Sequence, residues 1–328
     1  MKSLIENFPN HLLEALEIVK NTSWTAPVKP IQNVLITGLG GSGIGGTIVS
    51  ELCKNTGQWP IHVNKDYHLP HWVSDNTLLI ACSYSGNTEE TLSALEHATK
   101  AGARIAGLTS GGQLQSWCVA NNVNHLVVPG GNPPRSMLGY SFGCLFGILK
   151  NEGLITPDFE KGIPSAVSLM KSELASLQEE TKTLAKKSAH KTVCVYANQG
   201  MGGVATRWRQ QLNENSKMVG WDAVIPEMNH NELVGWAGGN NDIAAFFLDT
   251  PGDFSRNRKR MELSKEIVGR QTDAVYSISA KGDQPLEWAL YLIHYGDWLS
   301  FYLHEIHGVD IMDIDVIDYL KAQLEKFS

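Results

Sequence analysis

The chain has 328 residues, a formal net charge of −7, and 42% hydrophobic against 19% charged residues. That balance is ordinary for a soluble globular protein of one large domain or two medium ones, and the acidic excess argues against non-specific nucleic-acid binding, which needs a basic surface. The N-terminus lacks a signal-peptide core and no run of about 18 apolar residues offers a membrane span; the nearest, 286–303, carries Glu287, His294 and Asp297 and reads as a buried or interface helix.

A helical pattern over 4–20 precedes a strand at 34–37, a glycine loop, a helix over 43–53 and a short strand at 61–63. The apolar run 78–82 predicts a buried strand, and Leu92-Ser93-Ala94-Leu95 opens a helix reaching about 102. Strands at 104–108 and 125–128 continue the series. Such alternation predicts a parallel sheet covered by helices on both faces. Residues 151–188 are polar and helical, and join this half to a second on the same plan. There a strand at 191–196 is followed by a glycine-bearing turn, a helix through 212, and strands at 223–225, 243–248 and 275–279. The C-terminal stretch reads as helical through 321. The predicted class is α/β, with an N-terminal unit over 1–152 and a C-terminal unit over 153–328, each a mainly parallel, doubly wound sheet. Five cysteines (Cys53, Cys82, Cys118, Cys144, Cys194) are scattered without CxxC spacing. Buried free thiols in a reducing cytoplasm fit that pattern better than a disulfide framework or a zinc site.

Two loops lie at strand ends, where open parallel sheets bind ligands, so they are placed to converge on one crevice. Between 82 and 92 the chain reads SYSGNTEET, which crowds Ser83, Ser85, Thr88 and Thr91 into a strand-to-helix turn. Unsatisfied N–H groups at a helix N-terminus favour an anion. Several short hydroxyls beside them make a cradle for a phosphate monoester. The plainer reading is that these residues build a turn and cap a helix. The other loop, Gly38-Leu39-Gly40-Gly41-Ser42-Gly43, matches G-x-G-x-x-G, with Asp66 after the next strand. That pattern alone suggests NAD. It is outranked because Ser42 beside Gly41 equally suits a sugar hydroxyl or phosphate, and the hydroxyl-rich second loop has no role in a dinucleotide scheme.

Four residues carry candidate chemistry. Arg135 follows Pro133 and Pro134, which stiffen its backbone. A permanent cation on such a loop can stabilise an oxyanion; the plainer role is a surface salt bridge. Glu214 lies near a helix end between Asn213 and Asn215. It is either a general base held by amide hydrogen bonds or a solvated helix end. His230, flanked by Asn229 and Asn231, suits acid–base work near neutrality. A metal set of His230 with Glu227 or Glu232 lacks the HExxH spacing. Lys321, late in a helix, is by itself a solvated charge favourable to the helix dipole.

Together these segments resemble the bifunctional phosphoglucose/phosphomannose isomerase family, within the sugar isomerase (SIS) fold superfamily. The carriers are GLGGSGIGG at 38–46, SYSGNTEET at 83–91, NPPRSMLGY at 132–140, NENSK at 213–217, PEMNHNELVGW at 226–236 and the closing helix with Lys321. They occur in order over nearly the whole chain. The resemblance implies two SIS-type, flavodoxin-like subdomains. It implies an aldose–ketose isomerase interconverting glucose 6-phosphate and mannose 6-phosphate with fructose 6-phosphate, a reaction of glycolysis or gluconeogenesis. Gly41 and Ser42 would line the sugar, and Ser83, Ser85 and Thr88 would hold its phosphate. Glu214 would move a proton between C1 and C2, Arg135 would stabilise the cis-enediolate, and His230 and Lys321 would assist ring opening. The implied protein is a cytoplasmic homodimer with His230 contributed across the interface, the final helices and the Trp-rich 286–303 segment in the contact, a phosphorylated hexose as ligand, and no cofactor or metal. The two aldose substrates differ only at C2, whose configuration disappears in the enediolate. The alternatives are a non-catalytic phosphosugar sensor and an isomerase of another phosphosugar, such as an amino sugar or a pentose phosphate. Sensors usually carry a nucleic-acid-binding module, and the first 30 residues hold one helix and no helix-turn-helix.

Overall fold

The computed structural model describes residues 1–54, 56–239 and 241–327. Helices α1 (Lys2–Glu6) and α2 (Phe8–Asn21) precede β1 (Asn33–Thr37), α3 (Gly40–Cys53), β2 (Ile61–Asn64), β3 (Thr77–Ser83) and α4 (Glu89–Lys100). Next come β4 (Arg104–Thr109), α5 (Gly112–Ala120), β5 (His125–Val127), α6 (Leu138–Asn151) and the long α7 (Phe159–Ser188). The second half runs β6 (Thr192–Asn198), α8 (Gly202–Ser216), β7 (Gly220–Ile225), α9 (Glu232–Gly235), β8 (Ile243–Asp249), α10 (Ser255–Gly269) and β9 (Val275–Ser279). Helices α11 (Pro285–His307) and α12 (Asp315–Leu324) close it.

The strands form two sheets, ordered β2-β1-β3-β4-β5 and β7-β6-β8-β9. Every pairing in both is parallel. The first order is the flavodoxin-like one, and the second repeats its first four places. This is the expected α/β architecture of two parallel sheets flanked by helices. Strand β3, TLLIACS, is buried at all seven positions, because helices cover both faces and leave no polar side to alternate with. The chain leaves β1 in one direction for β2 and in the other for β3. The crevice at that reversal lies beyond the carboxyl ends of β1 and β3, where the two loops begin.

Helix α3 starts at Gly40, so the glycine loop expected over 38–43 is largely its first turn. Helices α5, α6 and α10 had no clear sequence signal. Helix α6 is apolar nearly all round and carries Gly139, Gly143 and Gly147, which lowers helix propensity and erases a one-sided stripe. Those glycines recur every fourth residue and face α2. A Cβ on Gly143 would lie 2.7 Å from the Ala15 Cβ, and one on Gly147 would lie 2.2 Å from a methyl of Val19. The two backbones therefore pack at a distance that only glycine permits.

The 286–303 segment is a core helix of its own chain. Helix α11 opens with a capping box between Gln284 and Glu287, ends at Gly308 in the left-handed region, and packs against α7 and α8. Helix α12 buries none of its side chains. All five cysteines are free and buried. Burial pushes Cys53 and Cys118 up to about 11 and Cys82 and Cys194 up to about 12, which leaves them unreactive as nucleophiles.

Gly143→Leu is expected to destabilise the chain by about 1–3 kcal/mol, because the added atoms meet the α2 backbone region rather than a flexible side-chain end. Urea unfolding measures this. An unchanged midpoint would show that α2 and α6 part without cost.

Candidate active site

Three turns meet at the crevice. The Tyr84 N–H donates to Ser42 Oγ at 3.0 Å, which ties the end of β3 to the first turn of α3. A Cβ on Gly41 would lie 3.0 Å from the carbonyl carbon of Pro134 and 3.1 Å from the Arg135 nitrogen. Gly41 thus lets the short 3-10 turn Pro134–Ser136 rest directly on α3. Tyr84 Oη donates to the Pro129 carbonyl at 2.9 Å and accepts from the Asn132 N–H at 3.3 Å, which steadies the approach to that turn. A cavity of about 20 Å³, lined in part by Gly41, Ser42, Tyr84 and Pro134, lies where the turns meet.

The hydroxyls of the second loop hold its own fold. Ser83 Oγ pairs with Thr88 Oγ1 at 2.8 Å and accepts the Thr88 N–H at 3.3 Å. Ser85 Oγ accepts the Asn87 N–H at 3.2 Å. These are turn-building bonds, as the plainer reading expected. They coexist with an open helix end: no acceptor among the described residues takes the N–H groups of Glu89, Glu90 and Thr91 in the first turn of α4. An anion fits such an end.

Arg135 is not a surface arginine; it is 3% exposed. Its Nε donates to Asn215 Oδ1 at 2.8 Å, its Nη1 to Glu214 Oε2 at 3.3 Å, and its Nη2 to the Ile311 carbonyl. Burial pulls the guanidinium below its ordinary pKa, and the Glu214 carboxylate opposes that pull. The Glu214 side chain keeps 29% of its surface exposed, so the carboxylate is partly open while the guanidinium is enclosed. The pair joins the two halves, since Arg135 follows the first sheet and Glu214 ends α8.

The amide clamp expected around Glu214 is not what holds it. Asn213 donates to the Met218 carbonyl at 2.7 Å and accepts from Arg209 at 3.2 Å. Asn215 engages Arg135 and Ser300. Adjacent residues on a helix point about 100° apart, so three in a row cannot meet at one group. The guanidinium takes the role assigned to the amides.

Neither His230 nor Lys321 forms a hydrogen bond or ion pair with Arg135 or Glu214 among the described residues. His230 ends the 3-10 turn Glu227–His230 beyond β7, is exposed, and makes no hydrogen bond or ion pair among the described residues. Lys321 lies exposed on α12. The segment leading to α12 is anchored at the site, however. Lys217 Nζ donates to the carbonyls of Asp313 and Glu214, each at 2.7 Å, and Arg135 holds Ile311. The sequence does not signal Lys217 or the Ile311 carbonyl, and it suggests Glu214 rather than Arg135 as the partner of Asn215. Lys217 has a positive φ of 56° for a non-glycine residue, a feature the sequence does not announce.

Comparison with known proteins was consistent along the chain. A family model described as "Bacterial phospho-glucose isomerase C-terminal SIS domain" matches residues 177–324. The chain is 36% identical to a bifunctional phosphoglucose/phosphomannose isomerase of Caldicellulosiruptor bescii, over 98% of this chain and 97% of that protein. It is 35% identical to the protein of the same name in Thermoplasma acidophilum, over 89% of each. Among solved structures, a hypothetical protein from Thermus thermophilus superposes with a TM-score of 0.77 at 17% identity, covering 98% of this chain and 89% of that one. The last likeness is one of fold.

Proposed function

The chain belongs to the bifunctional phosphoglucose/phosphomannose isomerase family and is an isomerase, and on that premise we propose that it interconverts glucose 6-phosphate and mannose 6-phosphate with fructose 6-phosphate. The observation that carries the reading is the Arg135–Glu214 pair, 3.3 Å apart, with its carboxylate partly exposed, beside the crevice of the first sheet.

In this reading the substrate phosphate sits at the N-terminus of α4 with Ser83, Ser85 and Thr88, and Gly41 and Ser42 line the sugar. Glu214 removes the proton from C2 of the aldose to give the enediolate and returns it at C1, while the O2 hydroxyl proton passes to O1 and leaves the ketose carbonyl at C2. As the proton moves, the carboxylate loses its charge and the substrate oxygen gains one. Arg135 then exchanges one anionic neighbour for another, so the buried cation is never left alone. A positioned base contributes roughly 10²–10⁴-fold and an oxyanion donor about 10²–10³-fold. The phosphate anchor, remote from the reacting carbons, orients the sugar for both transfers. No net oxidation occurs, so no redox cofactor is required. Both aldoses pass through the same enediolate, which explains how one site serves two substrates.

His230 and Lys321 assist ring opening, with His230 supplied by a second copy. Two features support a homodimer. His230 is exposed and without a hydrogen-bond partner among the described residues of its own chain, and α12 leaves Val316, Tyr319, Leu320 and Leu324 exposed along its length. The subunit then divides after residue 152, between α6 and α7. A cytoplasmic location is consistent with the five buried free thiols.

Purified protein with EDTA present is expected to convert each aldose phosphate separately to fructose 6-phosphate. Turnover of neither, with phosphosugar binding retained, would refute the reading. Light scattering is expected to give twice the 36.0 kDa chain mass. A monomer fully active at the same concentration would remove His230 of a second copy from the site.

A further inference from the structure

Arg207, Gln211 and Asn215 recur every fourth residue on α8 and so share one face. They are 1%, 1% and 0% exposed. A helix face turned this far inward is ordinarily apolar, since burying polar groups costs free energy unless each finds a partner. Here the partners come from α11. Gln211 Nε2 donates to Asp297 Oδ1 at 2.8 Å, and Arg207 Nη2 donates to Asp297 Oδ2 at 3.2 Å. Asn215 Nδ2 donates to Ser300 Oγ at 3.0 Å, and Ser300 Oγ in turn donates to the Asp297 carbonyl at 2.8 Å.

The seam is not fully paired among the described residues. Arg207 Nε and Gln211 Oε1 are buried with no partner among the described residues. A buried ion pair of this kind is often no better than apolar side chains of similar volume. Its two outputs converge instead on one residue. Arg207 Nη2 donates to the carbonyl oxygen of Arg135 at 2.6 Å, and Asn215 Oδ1 accepts from Arg135 Nε at 2.8 Å. Both the backbone and the head group of Arg135 are therefore gripped by a single face of α8. Asn215 also does this with a neutral oxygen, which orients the guanidinium without cancelling its charge.

We propose that Asn215, braced by Ser300, and the Arg207–Asp297 pair are positioning residues that set the Arg135 guanidinium where the enediolate oxygen forms. The inference rests on Arg135 being the oxyanion stabiliser of the proposed isomerisation. The seam acts in the transition state and not on the bound sugar. Its loss lowers kcat and leaves KM nearly unchanged.

The test uses the full-length protein and both aldose phosphates. Asn215→Asp keeps the side-chain shape and puts a carboxylate against Arg135. It is expected to lower kcat by at least about 10-fold on both sugars, with KM within about 3-fold. Binding of sorbitol 6-phosphate, which cannot isomerise, stays at the wild-type value. Binding of a phosphorylated aldonohydroxamate, a mimic of the enediolate, weakens in proportion to kcat. Ser300→Ala removes only the brace, so it carries the test if Asn215→Asp does not fold. It is expected to lose about 3- to 10-fold in kcat, with Ser300→Thr restoring most of the rate. Wild-type kcat in these variants, or an equal loss of sorbitol 6-phosphate binding, would overturn the inference alone. A wild-type protein that isomerises neither sugar would overturn it together with the reading of Arg135.

Discussion

The ion pair between Arg135 and Glu214 is the constraint on which the rest of the site depends. It spans the two halves of the chain, and its cation is almost wholly buried. A buried guanidinium is tolerated only while an anion and good acceptors surround it. That requirement explains the crowding around it: a carboxylate, an amide oxygen and the Ile311 carbonyl each take one of its nitrogens. In the proposed reaction the same pairing would suit a base that gives up its charge only where the substrate supplies a replacement.

The fold serves this pair through close approach. Gly41 brings the first turn of α3 against Pro134 and Arg135, and Ser42 ties the same turn to the end of β3. The loop after β3, the first turn of α3 and the arginine turn are thereby fixed to one another at the point where the sheet order reverses. The second half contributes one helix end, α8, backed by α11. Anchoring on an extended helix is more rigid than on a loop, and under the proposed mechanism this would limit the misplacement of Glu214.

Much of the fold was legible in the sequence, and the reason is burial. Strands such as β3 are covered on both faces and show as unbroken apolar runs between turn signals. Helix α6 was invisible because its glycines and its all-round apolarity remove the one-sided pattern that marks a helix. At the site, Arg135 and Glu214 stood out by local context, a proline-stiffened turn and a carboxylate at a helix end. What bound them did not. Asn215 was read as a partner of Glu214 because it is adjacent in sequence, whereas helix geometry turns it toward Arg135 and Ser300. Arg207 and Gln211 look like any polar residues of a helix until the packing of α11 shows their face to be buried. His230 was singled out by its context and Lys321 by the family resemblance alone, and a single chain leaves both exposed.

The central claim is that Glu214 carries the proton between the two carbons. Glu214→Gln keeps the size of the side chain and an oxygen for Arg135 but has no basic carboxylate. The account predicts that turnover of glucose 6-phosphate and of mannose 6-phosphate both fall by roughly 10²–10⁴-fold or more, while sorbitol 6-phosphate binds within a few-fold of its wild-type affinity. A variant that isomerises either sugar at the wild-type rate would contradict it.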